Sequence, residues 1–167
     1  MLIPRRLALV VAFACVAGFA EDALAQRAFL QIPAIPGESV VEGYVGWIDV
    51  LSVRQNTAAG ARKSIACDVS VVKGIDSAGP ALWATAAGGL AVPEMLIVVV
   101  REGGDALVKL YDVRLTNVRI TGVQATAGAA DSSETVTLLP QGVTITYYPQ
   151  LPNGSQGTPV SQTFSCQ

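Results

Sequence analysis

Histidine is missing altogether from this chain of 167 residues. That absence removes the usual general base of Ser-His-Asp and Cys-His hydrolases and the commonest protein ligand of zinc. Cysteine is scarce at three residues, and aromatic and charged residues are few at 6% and 14%. The 11 basic and 13 acidic residues are interspersed and leave a net charge of −2, so no basic stripe is available to neutralise nucleic-acid phosphates. Ser-Lys and carboxylate-pair mechanisms need no histidine, yet no spacing in the chain points to either. Together these gaps predict a protein without catalysis, cofactor or metal.

Long hydrophobic runs are equally scarce, and the longest stands at the start. Met1–Arg6 carries two positive charges, Arg5 and Arg6, ahead of the uncharged apolar run Leu7–Ala20. A run of that length falls short of the ~20 residues needed to cross a bilayer core. Glu21 and Asp22 end it, and Ala23-Leu24-Ala25 places small residues where a signal peptidase accepts them. The pattern predicts a cleavable secretory signal peptide over residues 1–25, cut after Ala25. A lipoprotein box at Ala12-Phe13-Ala14-Cys15 and a twin-arginine motif at Arg5-Arg6 both match less well. The expected location is periplasmic or secreted. Taking the leader's 25 residues from 167 leaves 142, Gln26–Gln167, a length that suits one domain. No stretch of it is apolar for long enough to span a membrane.

Cys15 leaves with the leader, so Cys67 and Cys166 remain as an even pair in a chain bound for an oxidising compartment. A disulfide between them would close a loop of about 100 residues, contributing roughly 4–5 kcal/mol on the chain-entropy model. Two independent thiols are the alternative. Their separation excludes a CxxC redox pair.

Along the mature sequence, strand patterns alternate with turns. Phe29–Ile32 reads as a short strand ended by Pro33 and Pro36-Gly37. Trp47–Arg54 alternates, with Trp47, Asp49, Leu51 and Val53 on one face and Ile48, Val50 and Ser52 on the other. Asn56–Lys63 reads as a polar loop, and Ile65–Val72 resumes the strand pattern. Val92–Arg101 contains the continuous apolar run Met95–Val100, expected of a strand covered on both faces. Gly103-Gly104-Asp105 predicts a tight hairpin into the long β-branched segment Ala106–Val123. Glu134–Leu139, Val143–Tyr148 and Pro159–Cys166 complete the strands, and Ala125–Ser133 reads as an exposed, flexible loop. One segment breaks the pattern: Ala78–Ala87, with Ser77 as a candidate N-cap, Pro80 in the first turn and Gly88-Gly89 as a stop, predicts a short helix. The fold class expected is mostly β, a small antiparallel barrel or sandwich with one short α-helix. Trp47 and Trp83 are expected to be core anchors.

Three local features are the most pointed: Gly37-Glu38-Ser39 as a turn, Asp49 on a half-buried strand, and Lys73-Gly74-Ile75-Asp76-Ser77 leading into the helix, where Asp76 would meet the positive end of the helix dipole. In this order they resemble the Hcp family (haemolysin-coregulated protein), the tube proteins of type VI secretion systems. Phe29–Ile32 and Ile35–Ser39 look like the family's opening strand and G-E-S turn. Trp47–Ser52 is similar to its I-D-V-L-S strand, and Lys73, Asp76, Pro80 and Leu82 match its K-x-x-D-x-x-[ST]-P-x-L helix entry. The resemblance covers essentially the whole mature domain. It implies a β-barrel with one helix, a non-enzymatic subunit of a hexameric ring that stacks into a tube, and effector or secretion-apparatus proteins as partners. Two features depart from the family: the leader, because tube subunits assemble in the cytoplasm, and the short Asn56–Ser64 segment where the family has a long loop contacting the next ring. Extended segments at Glu42–Gly46 and Ala125–Ser133 are candidate subunit contacts. A monomeric exported barrel that binds a protein or small ligand is the competing expectation.

Overall fold

A computed structural model describes residues 25–59, 65–103, 106–128 and 132–166. The leader up to residue 24 lies outside these residues, as do residues 60–64, 104–105 and 129–131 at three of the expected turns.

The elements are β1 (Gln26–Gln31), β2 (Ile48–Ala59), β3 (Ile65–Gly74), α1 (Gly79–Gly88), β4 (Ala91–Gly103), β5 (Ala106–Ala127), β6 (Ser132–Leu139), β7 (Gly142–Tyr147) and β8 (Val160–Ser165). Every pairing among the described residues is antiparallel, in the order β4-β1-β2-β3-β6-β5-β7-β8, and a further pairing of β4 with β5 closes six strands into a barrel. β7 and β8 therefore lie outside the closed hydrogen-bonded ring, on the edge of β5, with Val143 of β7 still buried in the main core. Closure depends on β5, whose 22 residues serve three neighbours. Its residues 106–119 pair with β4, 111–116 also with β7, and 119–127 with β6. A straight strand could not turn from one neighbour to the next. Asn117 in the left-handed region (φ 48°) and a register shift between Ile120 and Gly122 bend it there, as bulges do at barrel corners.

Strand alternation fills the inside. Ala28 and Leu30 of β1, Ile48 and Val50 of β2, Val69 and Val71 of β3, Met95 and Ile97 of β4, Val113 and Leu115 of β5 and Val136 and Leu138 of β6 form one core. Leu82 of α1 is fully buried in the same cluster. A second, smaller cluster lies on the other side of the wall, where Phe29, Val98 and Val100 pack with Val41, Tyr44, Trp47, Leu96 and Leu107. The Met95–Val100 run thus has two apolar faces because two different bodies cover it. The outer cover is the chain between β1 and β2. Tyr44 stacks on Phe29 with ring centres 4.3 Å apart, and Trp47 meets Tyr44 edge-on at 5.2 Å. The cover closes on itself through Gly37 N–H to Gly46 O, Ser39 N–H to Trp47 O and Gly46 N–H to Ser39 O. Gly37 is required there, since a Cβ would stand 2.4 Å from the Trp47 carbonyl oxygen.

Four expectations need correction. The face assignment of Trp47–Arg54 holds only as far as Val50, because a bulge between Val50 and Ser52 shifts the register and turns Val53 inward while Leu51 stays exposed. The expected polar loop from Asn56 is strand as far as Ala59, paired across to Ile65, so β2 and β3 form a long arm. Ala125–Ala127 pair with Ser132–Glu134 and shorten the expected loop from both ends. Trp83 is 46% exposed and anchors by its indole N–H rather than by burial. The remaining elements agree with the sequence to within a few residues.

Cys67 and Cys166, 99 residues apart, are joined by a disulfide with Cα atoms 5.7 Å apart. Among the described residues no helix is long and apolar enough to cross a membrane.

Leu82 is the fully buried side chain that fastens α1 to the barrel. Leu82→Ala is expected to lower stability by about 2–5 kcal/mol, read as an earlier urea midpoint at unchanged slope; a loss within ~0.5 kcal/mol would show that the helix is held by its polar contacts instead.

Candidate functional site

Lys73 lies on the core-facing side of β3, in line with Cys67, Val69 and Val71, and its side chain is fully buried. Directly across the ladder, Glu134 of β6 continues the inward row Val136, Leu138 and is 4% exposed. Lys73 Nζ donates to Glu134 Oε2, to Asp76 Oδ1 and to the Gly74 carbonyl, each at 2.7 Å. An ammonium has three donors and no lone pair. All three are used, so Lys73 can act neither as a base nor as a nucleophile in this arrangement.

The carboxylates are engaged further. Glu134 Oε1 accepts the Trp83 indole N–H at 3.1 Å, which brings α1 down onto β6. Asp76 Oδ1 accepts Ala78 N–H at 2.9 Å and Glu38 Oε1 accepts Ser77 N–H at 3.0 Å. These two acids satisfy donors just before the helix, a place where negative charge is also favoured by the helix dipole. Ser77 does not cap the helix; the N-cap is Ala78, with no side-chain bond. Pro80 occupies the first turn, where its missing N–H costs nothing. A Cβ on Gly79 would come within 2.9 Å of Glu134 Oε1, so the helix start passes directly over the carboxylate.

The motif positions therefore divide into three groups. Glu38, Lys73, Asp76 and Pro80 converge on one clamp joining the outer cover, β3, β6 and α1. Gly37 and Ser39, the latter 2% exposed, build the cover itself. Asp49 stands apart on the surface, 3.5 Å from Arg27. Glu134, Trp83 and Gly79 were missed from the sequence. Their signal lay in the alternation: a charge on the core face of each of two strands, Lys73 after Val69-x-Val71 and Glu134 before Val136-x-Leu138, requires that the two charges meet.

A second polar group borders the outer cover. Tyr148 donates to Asp112 Oδ2 at 2.7 Å, and Lys109 lies 3.5 Å from the same oxygen and 5.1 Å from the Tyr148 ring centre. Burial, then the hydrogen bond and charge of Asp112, push the Tyr148 phenol up to about 12. Burial and the same carboxylate also raise Tyr44. Beside this group a cleft of about 750 Å³ runs between Tyr44 and Trp47 on one wall and Leu96 and Leu107 on the other. No group of three or more potential ligands among the described residues could hold a metal ion. What these clusters can do is fix surfaces; neither presents an activated nucleophile.

The model of the family described as "Type VI secretion system effector, Hcp" matches residues 29–147. Among solved structures, Hcp1 from Salmonella typhimurium is similar at 25% identity and a TM-score of 0.70, over 85% of this chain and 95% of that one. A type six secretion system protein gives a TM-score of 0.75 at 22% identity, over 84% and 96% of the two chains. A type VI secretion system effector from Yersinia pestis gives 0.70 at 22%, over 83% and 98%. Comparison with curated proteins gives no match.

Removing one partner of a buried ion pair strands the other. Lys73→Ala is thus expected to cost about 3–5 kcal/mol in urea unfolding, and Asp49→Ala, at an exposed pair, below ~1 kcal/mol. Equal losses at the two sites would contradict the assignment of the clamp. A phenol raised in the folded state stabilises fully below its unfolded value of 10.0, and that contribution is lost as pH rises through about 12. The fall in stability between those pH values is expected to be shallower in Tyr148→Phe, measured by denaturant midpoints at each pH.

Proposed function

The chain belongs to the Hcp family of type VI secretion tube proteins, and from that premise we propose that its mature domain, exported and freed of residues 1–25, works as a non-enzymatic subunit of a hexameric ring. The observation that carries the reading is the match over residues 29–147, which spans the barrel wall, the outer cover and the clamp together. It favours a ring subunit over a monomeric binding barrel.

The surface supports self-assembly. Val40 and Val45 are 88% and 71% exposed at the edge of the outer cover, and Leu51 and Leu90 are 69% and 74% exposed elsewhere. Apolar side chains presented by a rigidly closed loop are suited to a neighbour's surface. In a ring each subunit offers one face to the next subunit's different face, and rotation closes the set. The clamp serves this by fixing the cover against α1 through Glu38 and Ser77. The β2–β3 arm supplies a candidate contact between rings, since its residues from Arg54 to Ala59 pair with β3 alone. Partners beyond the chain itself would be effector or secretion-apparatus proteins. An oxidising compartment, periplasmic or outside the cell, suits a leader cut after Ala25. It also separates this subunit from a sheath that works in the cytoplasm.

Purified mature protein is expected to begin at Gln26 by intact mass and to give a hexamer by native mass measurement and electron microscopy. Val40→Asp with Val45→Asp is expected to lower assembly at least about tenfold, a shift of ~1.4 kcal/mol, while leaving the fold intact. A clean monomer across micromolar concentrations would refute the ring.

A further inference from the structure

The C-terminal strand is an edge strand, held by its ladder to β7, by Thr163 and Ser161 hydroxyl contacts to Thr144 and Thr146, and by the residue that follows it. Among the described residues β8 pairs with β7 alone, and of Val160–Ser165 only Phe164 is even partly buried. Phe164 stands opposite buried Val143 and packs on the main core, but the other five residues of β8 are exposed, so the pairing by itself contributes little. Neither β7 nor β8 belongs to the six strands that close the barrel. Immediately after β8, Cys166 N–H donates to Gln141 O and Cys166 Sγ is bonded to Cys67 of β3. β6 reaches β3 only from Val69 onward, so the β3 residues around Cys67 lack a neighbour on that side among the described pairings. The disulfide spans this gap in the wall. A cleft of about 750 Å³ lies there, and both cysteines line it together with Asp68, Asn117, Arg119 and Gln141. The bond is thus approachable from solvent although Cys67 is itself 3% exposed.

We propose that the Cys67–Cys166 disulfide is a redox latch that locks β8 in place after the chain reaches an oxidising compartment, and that its reduction frees β8 while the six-stranded barrel stays folded. Opening is thiol–disulfide exchange with a dithiol reductant. One thiolate of the reductant attacks a protein sulfur, forming a mixed disulfide and releasing the other cysteine as thiolate. The second thiol of the reductant then displaces the remaining cysteine. Two electrons pass to the protein, both cysteines end as thiols after protonation, and the reductant leaves as its own disulfide. Closure is the reverse, with a protein or small-molecule disulfide as oxidant. The separation of roles follows from topology, since the latch joins β3 to a strand outside the closed wall.

Hydrogen exchange on the mature protein, oxidised and in dithiothreitol, with Cys166→Ser beside them, tests the proposal. In the reduced protein and in Cys166→Ser, amides of Val160–Ser165 are expected to lose protection roughly tenfold or more, while those of β1, β3 and β4 change less than about threefold. Unchanged protection in β8 on reduction would overturn the latch. So would an equal loss across all strands, which would make the bond a global staple, and so would two titratable thiols in the protein as first purified under oxidising conditions. Should Cys166→Ser fail to fold, the reduced wild-type protein still decides.

Discussion

A lysine ammonium with no exposure to solvent dictates much of this molecule. Lys73 Nζ is held by Glu134, Asp76 and the Gly74 carbonyl, and each partner imposes something on the chain. Glu134 must stand opposite Lys73, which fixes the register of β6 on β3; a slip by one residue would turn the carboxylate out and leave the charge alone in the core. Asp76 must follow within a turn, which ends β3 and starts the helix approach. Trp83 completes the second oxygen of Glu134 and so fixes how α1 is rotated on the barrel. A buried pair of this kind is weak evidence of net stability, because desolvation offsets most of the attraction. Its value lies in excluding other arrangements, which is what a junction of two strands, a helix and a loop requires.

The fold was largely legible in the sequence because most of its elements announce themselves locally. The β-branched runs of β4 and β5 and the Pro80 to Gly88-Gly89 frame of α1 are signals carried by neighbouring residues. Where the reading failed, the deciding contact was distant. Asn56–Ala59 is polar and alanine-rich, a loop by composition, yet it pairs with β3 because the arm needs no core to extend. The alternation of β2 breaks at a bulge that no residue type marks. Trp83, read as a core anchor, stays half-exposed and anchors instead through its indole N–H, which reaches a carboxylate 51 residues away in sequence. The site divides in the same way. Lys73, Asp76, Glu38 and Pro80 were legible as a motif, but Glu134 was not, since a lone acid in a strand becomes meaningful only once its partner's register is known.

The wall between β1 and β4 shows why one strand can be apolar throughout. A barrel strand normally sorts its residues into core and solvent, and a second apolar face would be an exposed patch. Here the excursion between β1 and β2 lays Val41, Tyr44 and Trp47 on that outer face. The cover has to be rigid to do so. Gly37 permits the approach to the Trp47 carbonyl, Gly43 and Gly46 take positive φ, and the Phe29–Tyr44 stack presses the loop down. Rigidity then passes outward, because side chains at the loop's edge are presented at fixed positions. The G-E-S turn thereby links the two halves of the molecule: its glycine builds the cover, and its glutamate ties the cover to the helix.

Stability and exposure are distributed unequally as a result. The closed wall, the helix and the cover share one network of buried contacts and charges. The β2–β3 arm, the edge of the cover and β8, which buries little beyond Phe164, lie at its margin. Parts of that kind open locally at low cost unless something else holds them. For the cover the holding contacts are the Phe29–Tyr44 stack and the bond from Ser77 to Glu38. For β8 a covalent bond to β3 adds to the ladder with β7, and that bond responds to the redox state of its surroundings. An exported ring subunit would meet that condition only on leaving the cytoplasm, so the same cysteines that are superfluous to barrel closure become informative about where the finished surface is made.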